Sequence, residues 1–171
     1  MSDSAQWPAT PTYFFDASAI VKIFLDEPGS KAVRAIYAQP QRIHTSWILI
    51  AEAMGVFKRK WLKKQLTDRQ YGAAVYNLFT LVHETRLHPV DLVVEDGHPR
   101  LGTFFDSDVI ALRKKYPELD LADALQFKAI QAGVLGILAG DSAPQLVTGD
   151  HSLCCAARSE GLRVVFVGED Q

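Results

Sequence analysis

The sequence is nearly devoid of cysteine. Its two, Cys154 and Cys155, are adjacent, which makes them poor partners for each other in an ordinary disulfide and leaves no metal-ligand spacing. They read as small apolar residues on a helix. No apolar run is long enough to span a bilayer, and the opening MSDSAQWPATPT lacks the basic start and apolar core of a secretory signal. The cytoplasm is therefore the expected compartment, with no membrane partner. The five histidines (His44, His83, His88, His98, His151) are scattered and never pair at ligand spacing. There is no internal repeat and no low-complexity segment. The formal net charge is −2, so no global basic excess advertises nucleic acid. The clearest local basic patch is KRKWLKK, Lys58 to Lys64, which reads first as a solvated helix face with Trp61 turned inward.

What is present suits one folded domain. With 171 residues, 48% of them hydrophobic and 22% charged, the chain can bury one sizeable core, and 1–171 reads as a single domain with 1–11 as a leader. Strand candidates are Tyr13–Phe15, Ile43–Thr45, a weaker Leu92–Val94, Leu146–Thr148 and Val164–Val167. Helix candidates are Ala17–Leu25, Ser30–Ala38, Trp47–Lys64, Thr67–Glu84, Gly102–Lys115, Leu121–Gln131 and His151–Glu160. Such alternation predicts an α/β fold, because parallel strands need crossovers and helices then cover both faces of the sheet. The expected architecture is a three-layer α/β/α sandwich around a central, mainly parallel five-stranded sheet. Gly133–Gln145, rich in small residues, reads as a loop in which Asp141 and Ser142 are turn chemistry.

Four carboxylates stand out. Asp16 directly follows the first strand and Asp150 follows the fourth; in an open parallel sheet both should face the functional edge, at the carboxyl ends of the strands. Each also opens a helix, where aspartate is a favoured cap. Glu52 lies in WILIAEAMGVF, which leaves almost no polar face, and a buried glutamate is costly unless paired, hydrogen-bonded or metal-bound. Asp123 continues the apolar stripe Phe127, Ile130, Val134, although Asp120 would cap this helix and put Asp123 at its third position, where the macrodipole favours an anion. If all four meet, like charges raise one another's pKa and call for a cation. An oxygen-only set suits Mg2+, or Mn2+, rather than zinc.

In this order, FFDASAIVK, SWILIAEAMGVF, LADALQFKAI and LVTGDHSL resemble the PIN domain, and in particular the VapC-like ribonuclease toxins of type II toxin–antitoxin pairs. The resemblance spans about Tyr13 to Val167. It implies that Asp16, Glu52, Asp123 and Asp150 form an acidic site holding one or two divalent ions, with Asp16 and Asp123 as the foremost direct ligands. Ser18 would orient the site through its hydroxyl, and Asp120 is a weaker candidate beside them. It further implies metal-dependent cleavage of RNA phosphodiester bonds, with Lys22, Lys58, Arg59 or Lys128 guiding the RNA backbone. A small antitoxin partner would place a cationic side chain in the acidic site, and a homodimer is expected on family grounds. The long segment before the third motif and the extended loop before the fourth depart from the shortest members.

Two rival readings come from other classes. Strand-Asp-helix starts also occur in receiver and dehalogenase-like domains, where the aspartate accepts a phosphoryl group. The dehalogenase pattern wants a second aspartate two residues on, where this chain has Ser18. The other rival is a non-catalytic RNA- or protein-binding module of the same fold.

Overall fold

Strand β1, Thr12–Phe15, owes its extended backbone to bulky aromatic side chains that fill a pleated surface, and Phe14 and Phe15 are fully buried. The computed structural model describes residues 11–39, 42–84, 88–89, 92–95, 98–101, 107–131 and 144–168. After β1 come α1 (Ala17–Phe24), α2 (Ser30–Tyr37), β2 (Arg42–Thr45), α3 (Trp47–Leu62), α4 (Asp68–His83), β3 (His88–Pro89), β4 (Leu92–Glu95) and β5 (His98–Leu101). The chain continues through α5 (Ser107–Lys115), α6 (Leu121–Gln131), β6 (Gln145–Thr148), α7 (His151–Ser159) and β7 (Arg163–Phe166).

Helix starts are set by side chains that accept orphan backbone N–H groups. Asp16 caps α1, Ser46 caps α3, Thr67 caps α4 in a reciprocal box with Gln70, and Asp150 caps α7. The entry to α2 works differently. Gly29 sits at φ +85°, and a Cβ there would lie 1.8 Å from the Val167 carbonyl oxygen, so only glycine lets this turn pack on the end of β7.

The sheet runs β3-β2-β1-β6-β7, all parallel. From β1 the chain steps outward to β2, whereas from β6 it steps outward the other way, to β7. Right-handed crossovers then carry α1–α4 to one face and α5–α7 to the other. The helix packing agrees: α1 lies against α2 and α3, α3 against α4, and α5 against α6. Lys115 Nζ and the Tyr116 hydroxyl both donate to Glu160 Oε1, at 2.6 and 2.8 Å, tying the end of α5 to the end of α7. The core lies between these layers, with Ile20, Leu49, Phe57, Phe127, Leu146 and Leu153 among its most buried side chains.

The expected fifth strand needs correction. Four full strands carry the sheet, and the place at its edge beside β2 is taken by the two-residue β3. The expected third strand, Leu92–Val94, instead pairs antiparallel with β5 in a separate two-stranded unit. Its valines favour extended backbone wherever it pairs, so local propensity does not choose its partner. The Gly133–Gln145 loop, with Asp141 and Ser142, lies almost wholly outside the described residues. Cys154 is buried as expected of a small apolar residue, but Cys155 is exposed.

Candidate active site

The sheet has its topological switch point between β1 and β6, where outgoing connections diverge and a crevice opens beyond the strand ends. Asp16 leaves β1 there and is almost wholly buried. Its Oδ1 accepts from the Ala19 N–H at 2.7 Å, its Oδ2 from the Thr148 hydroxyl at 2.5 Å, and the Ser18 hydroxyl stands 2.8 and 3.0 Å from the two oxygens. Three hydrogens from the described residues thus serve a carboxylate with about four acceptor sites. Burial pushes the Asp16 carboxyl up, opposed by Thr148, Ala19, Ser18 and the Lys22 charge.

Ser18 and Thr148 also stitch β1 to the turn after β6. The Gly149 N–H donates to Ser18 Oγ at 2.7 Å, and the Asp150 N–H to Thr148 Oγ1 at 2.9 Å. Asp150 itself is exposed and caps α7 through the Leu153 N–H at 2.9 Å. Capping and a place at the sheet edge therefore coexist in both aspartates.

The third and fourth acidic positions approach from α3 and α6. Glu52 is half-buried rather than enclosed, because α3 is not apolar all round: Ala51 and Trp47 beside it are exposed. Its carboxyl is nevertheless raised, first by burial, then by the charges of Asp120 and Asp16, with Arg59 opposing and Asp150 adding. Asp123 and Asp120 cap α6 reciprocally: the Asp123 N–H donates to Asp120 Oδ1 at 2.9 Å and the Asp120 N–H to Asp123 Oδ2 at 3.2 Å. Asp123 is pushed up to about 7, by burial first and by Asp120 next, with Asp150 and Asp16 contributing. Glu52 and Asp123 thus both feel the charges of Asp16, Asp120 and Asp150, which puts the five in one electrostatic neighbourhood.

Gln126 joins them and was not foreseen from the sequence. Its Nε2 donates to Asp123 Oδ1 at 3.0 Å, while its buried Oε1 has no hydrogen-bond partner among the described residues. The available signal was a polar residue one turn after Asp123 on a helix otherwise buried. Thr148 was also missed; a threonine ending a buried strand just before Gly-Asp was its only mark. His151 stands edge-on to Phe166 at 6.1 Å and beside the Cys155 thiol at 3.7 Å.

The donors suit a hard cation: all are oxygens, their charges oppose one another, and an orphaned buried acceptor would take a hydrogen from a hydration shell. Among the described residues no three such groups stand close enough to form a finished coordination set.

Of the basic candidates, Lys58 and Arg59 are exposed, Lys22 is buried, and the side chain of Lys128 lies outside the described residues. In KRKWLKK, Trp61 stacks on Tyr71 at 5.1 Å and donates to Asp68 at 2.7 Å, and Lys60 pairs with Glu27 at 2.6 Å. A cleft of about 680 Å³ lies elsewhere, lined by Phe24, Asp26, Lys60, Leu66, Ala73 and Asn77 among others. Asp16, Glu52, Asp120, Asp123 and Asp150 do not line it, so chemistry rather than concavity locates the site.

Comparison with known proteins decides the family: a model of the PIN domain matches residues 13–170. The chain belongs to the PIN domain family. PIN domains are usually nucleases and commonly use divalent metals. A similar solved structure is that of PAE2754 from Pyrobaculum aerophilum, with a TM-score of 0.56 and 16% identity, covering 91% of this chain and 90% of that one. At that identity it supports the fold alone. No curated protein matches the chain. Among the described residues of this PIN domain, no helix is long and apolar enough to cross a membrane.

Proposed function

We propose that this PIN domain is a metal-dependent endoribonuclease, the toxin of a toxin–antitoxin pair, acting in the cytoplasm. The observation that carries the nuclease reading is the acidic cluster at the switch point, where Asp16 is clamped and where burial first, and then the charges of Asp16, Asp120 and Asp150, raise the carboxyls of Glu52 and Asp123. Asp16, Glu52, Asp123 and Asp150 would hold Mg2+ or Mn2+, with Asp16 and Asp123 as the foremost ligands. When bound, the ion supplies Lewis-acid contact with a phosphoryl oxygen and lowers the pKa of water.

The chain's own groups do the rest. Ser18 and Thr148 fix the Asp16 carboxylate through their hydroxyls, so it meets the ion without rearrangement. Gln126 holds Asp123 through its amide N–H. Glu52, raised and half-buried, is suited to take the proton of an attacking water. Exposed Lys58 and Arg59 would guide the RNA backbone. The toxin reading adds an antitoxin partner that places a cation in the acidic crevice, and a homodimer.

The test is cleavage of a mixed pool of cellular RNA by purified protein with Mg2+, Mn2+ or EDTA, beside Asp16→Asn. Discrete fragments that require both the metal and Asp16 are expected. No cleavage by folded, partner-free protein with any metal would shift the reading to a binding module.

A further inference from the structure

Lys22 stands on α1 one turn after Ser18, and its side chain is only 9% exposed. A buried ammonium is costly unless paired. Glu27 Oε2 stands 3.7 Å from its Nζ, and Glu27 already binds Lys60 through Oε1 at 2.6 Å. Among the described residues, one carboxylate in ion-pair range thus serves two cations, which leaves Lys22 only partly neutralised by Glu27.

Gly149 shows where that charge points. A Cβ at Gly149 would lie 2.9 Å from Lys22 Nζ and 3.0 Å from Ser18 Oγ. The ammonium is thus within about 6 Å of the hydroxyl that clamps Asp16, a range at which charges interact strongly in a partly buried site. It lies against the turn that carries Asp150. Among the influences on Asp16, burial is the largest and raises its pKa, while the Lys22 charge opposes it.

We propose that Lys22 is a positioning residue that serves as the built-in counter-cation of the acidic crevice, steadying Asp16 and the Gly149 turn without a divalent ion and weakening the hold on an ion that enters. It rests on the reading that the crevice binds such an ion. Lys22 is then no guide for RNA at the surface. A side chain at position 149 would meet Lys22 and Ser18 and would have to displace the ammonium.

The test uses the full chain at pH 8, with Mn2+ titrated calorimetrically and melting followed with and without Mg2+. Lys22→Met should melt lower than wild type in EDTA, recover most of that loss in Mg2+, and bind Mn2+ more tightly, on the order of tenfold, as for a unit charge removed near a divalent ion. Glu27→Gln, which leaves Lys22 less neutralised, should shift Mn2+ affinity the opposite way and keeps the test decisive if Lys22→Met does not fold. Lys22→Arg should restore the wild-type pattern. A merely structural lysine would lower the melting temperature equally in EDTA and Mg2+, with Mn2+ affinity unchanged in both variants, and that result would overturn the assignment. If folded wild type binds no divalent ion at all, the metal reading falls and the Lys22 role falls with it; ion binding by wild type with unmoved variants sinks the Lys22 role alone.

Discussion

Raising the pH from 5 to 8 in EDTA should cost the wild-type protein stability that Asp123→Asn retains. Asp123 titrates near 7 in the folded chain, raised by burial first and by Asp120 next, whereas in the unfolded chain it titrates at about 3.9. Between those values the folded state binds more protons than the unfolded one, so stability falls as pH rises. The stabilisation from the protonated carboxyl is fully present near pH 4 and is lost as pH passes through 7. Integrating over pH 5 to 8 gives about 2.6 kcal/mol for a shift expressed in full. Because Asp123 is only half-buried, solvent screening reduces this to about 1–2 kcal/mol. Glu52 and Asp16 are shifted in the same direction and add slopes of their own, so the decisive quantity is the difference between the two proteins. Urea unfolding at pH 5, 6, 7 and 8 measures it. Parallel pH profiles for wild type and Asp123→Asn would refute the reasoning.

Gly29→Ala forces a Cβ onto a backbone carbonyl at a positive φ and should cost more than about 3 kcal/mol, read as a fall in urea midpoint; an unchanged midpoint would mean the turn into α2 is misassigned. Gln126→Leu removes an orphaned acceptor together with its amide partner to Asp123, so stability should change by less than about 1 kcal/mol. Mn2+ affinity should nevertheless drop severalfold, and unaltered affinity would make the glutamine a packing residue. Thr67→Ala breaks the box that starts α4 and should cost about 1 kcal/mol with RNA cleavage unchanged, since Thr67 lies away from the crevice; lost cleavage at full stability would contradict that.

Much of the scaffold was legible because its signals are local. The four strands Thr12–Phe15, Arg42–Thr45, Gln145–Thr148 and Arg163–Phe166 lie within a residue of the expected ones, and the helices differ mainly by counting their caps as helical, while the first five residues of the expected Gly102–Lys115 lie outside the described residues. Strand pairing was less legible: the valines of β4 (Leu92–Glu95) announce a strand without announcing its partner. At the crevice, spacing and strand-end position marked Asp16 and Asp150, and an apolar context marked Glu52 and Asp123. That context overstated Glu52, which is half-buried. The supporting groups were hidden for a physical reason. Thr148 and Gln126 matter through single hydrogen bonds across elements, and Lys22 through a glycine 127 positions later whose missing side chain makes room for it, none of which leaves a periodic trace.

The central claim is that the crevice between β1 and β6 holds a divalent cation on Asp16 and its neighbours. Calorimetric titration of Mn2+ into wild type and Asp16→Asn at pH 8, with circular dichroism to verify folding, tests it most directly. The account predicts saturable binding by wild type and at least a tenfold loss in Asp16→Asn with the fold retained. Equal affinities in the two proteins, or no binding by folded wild type, would contradict it.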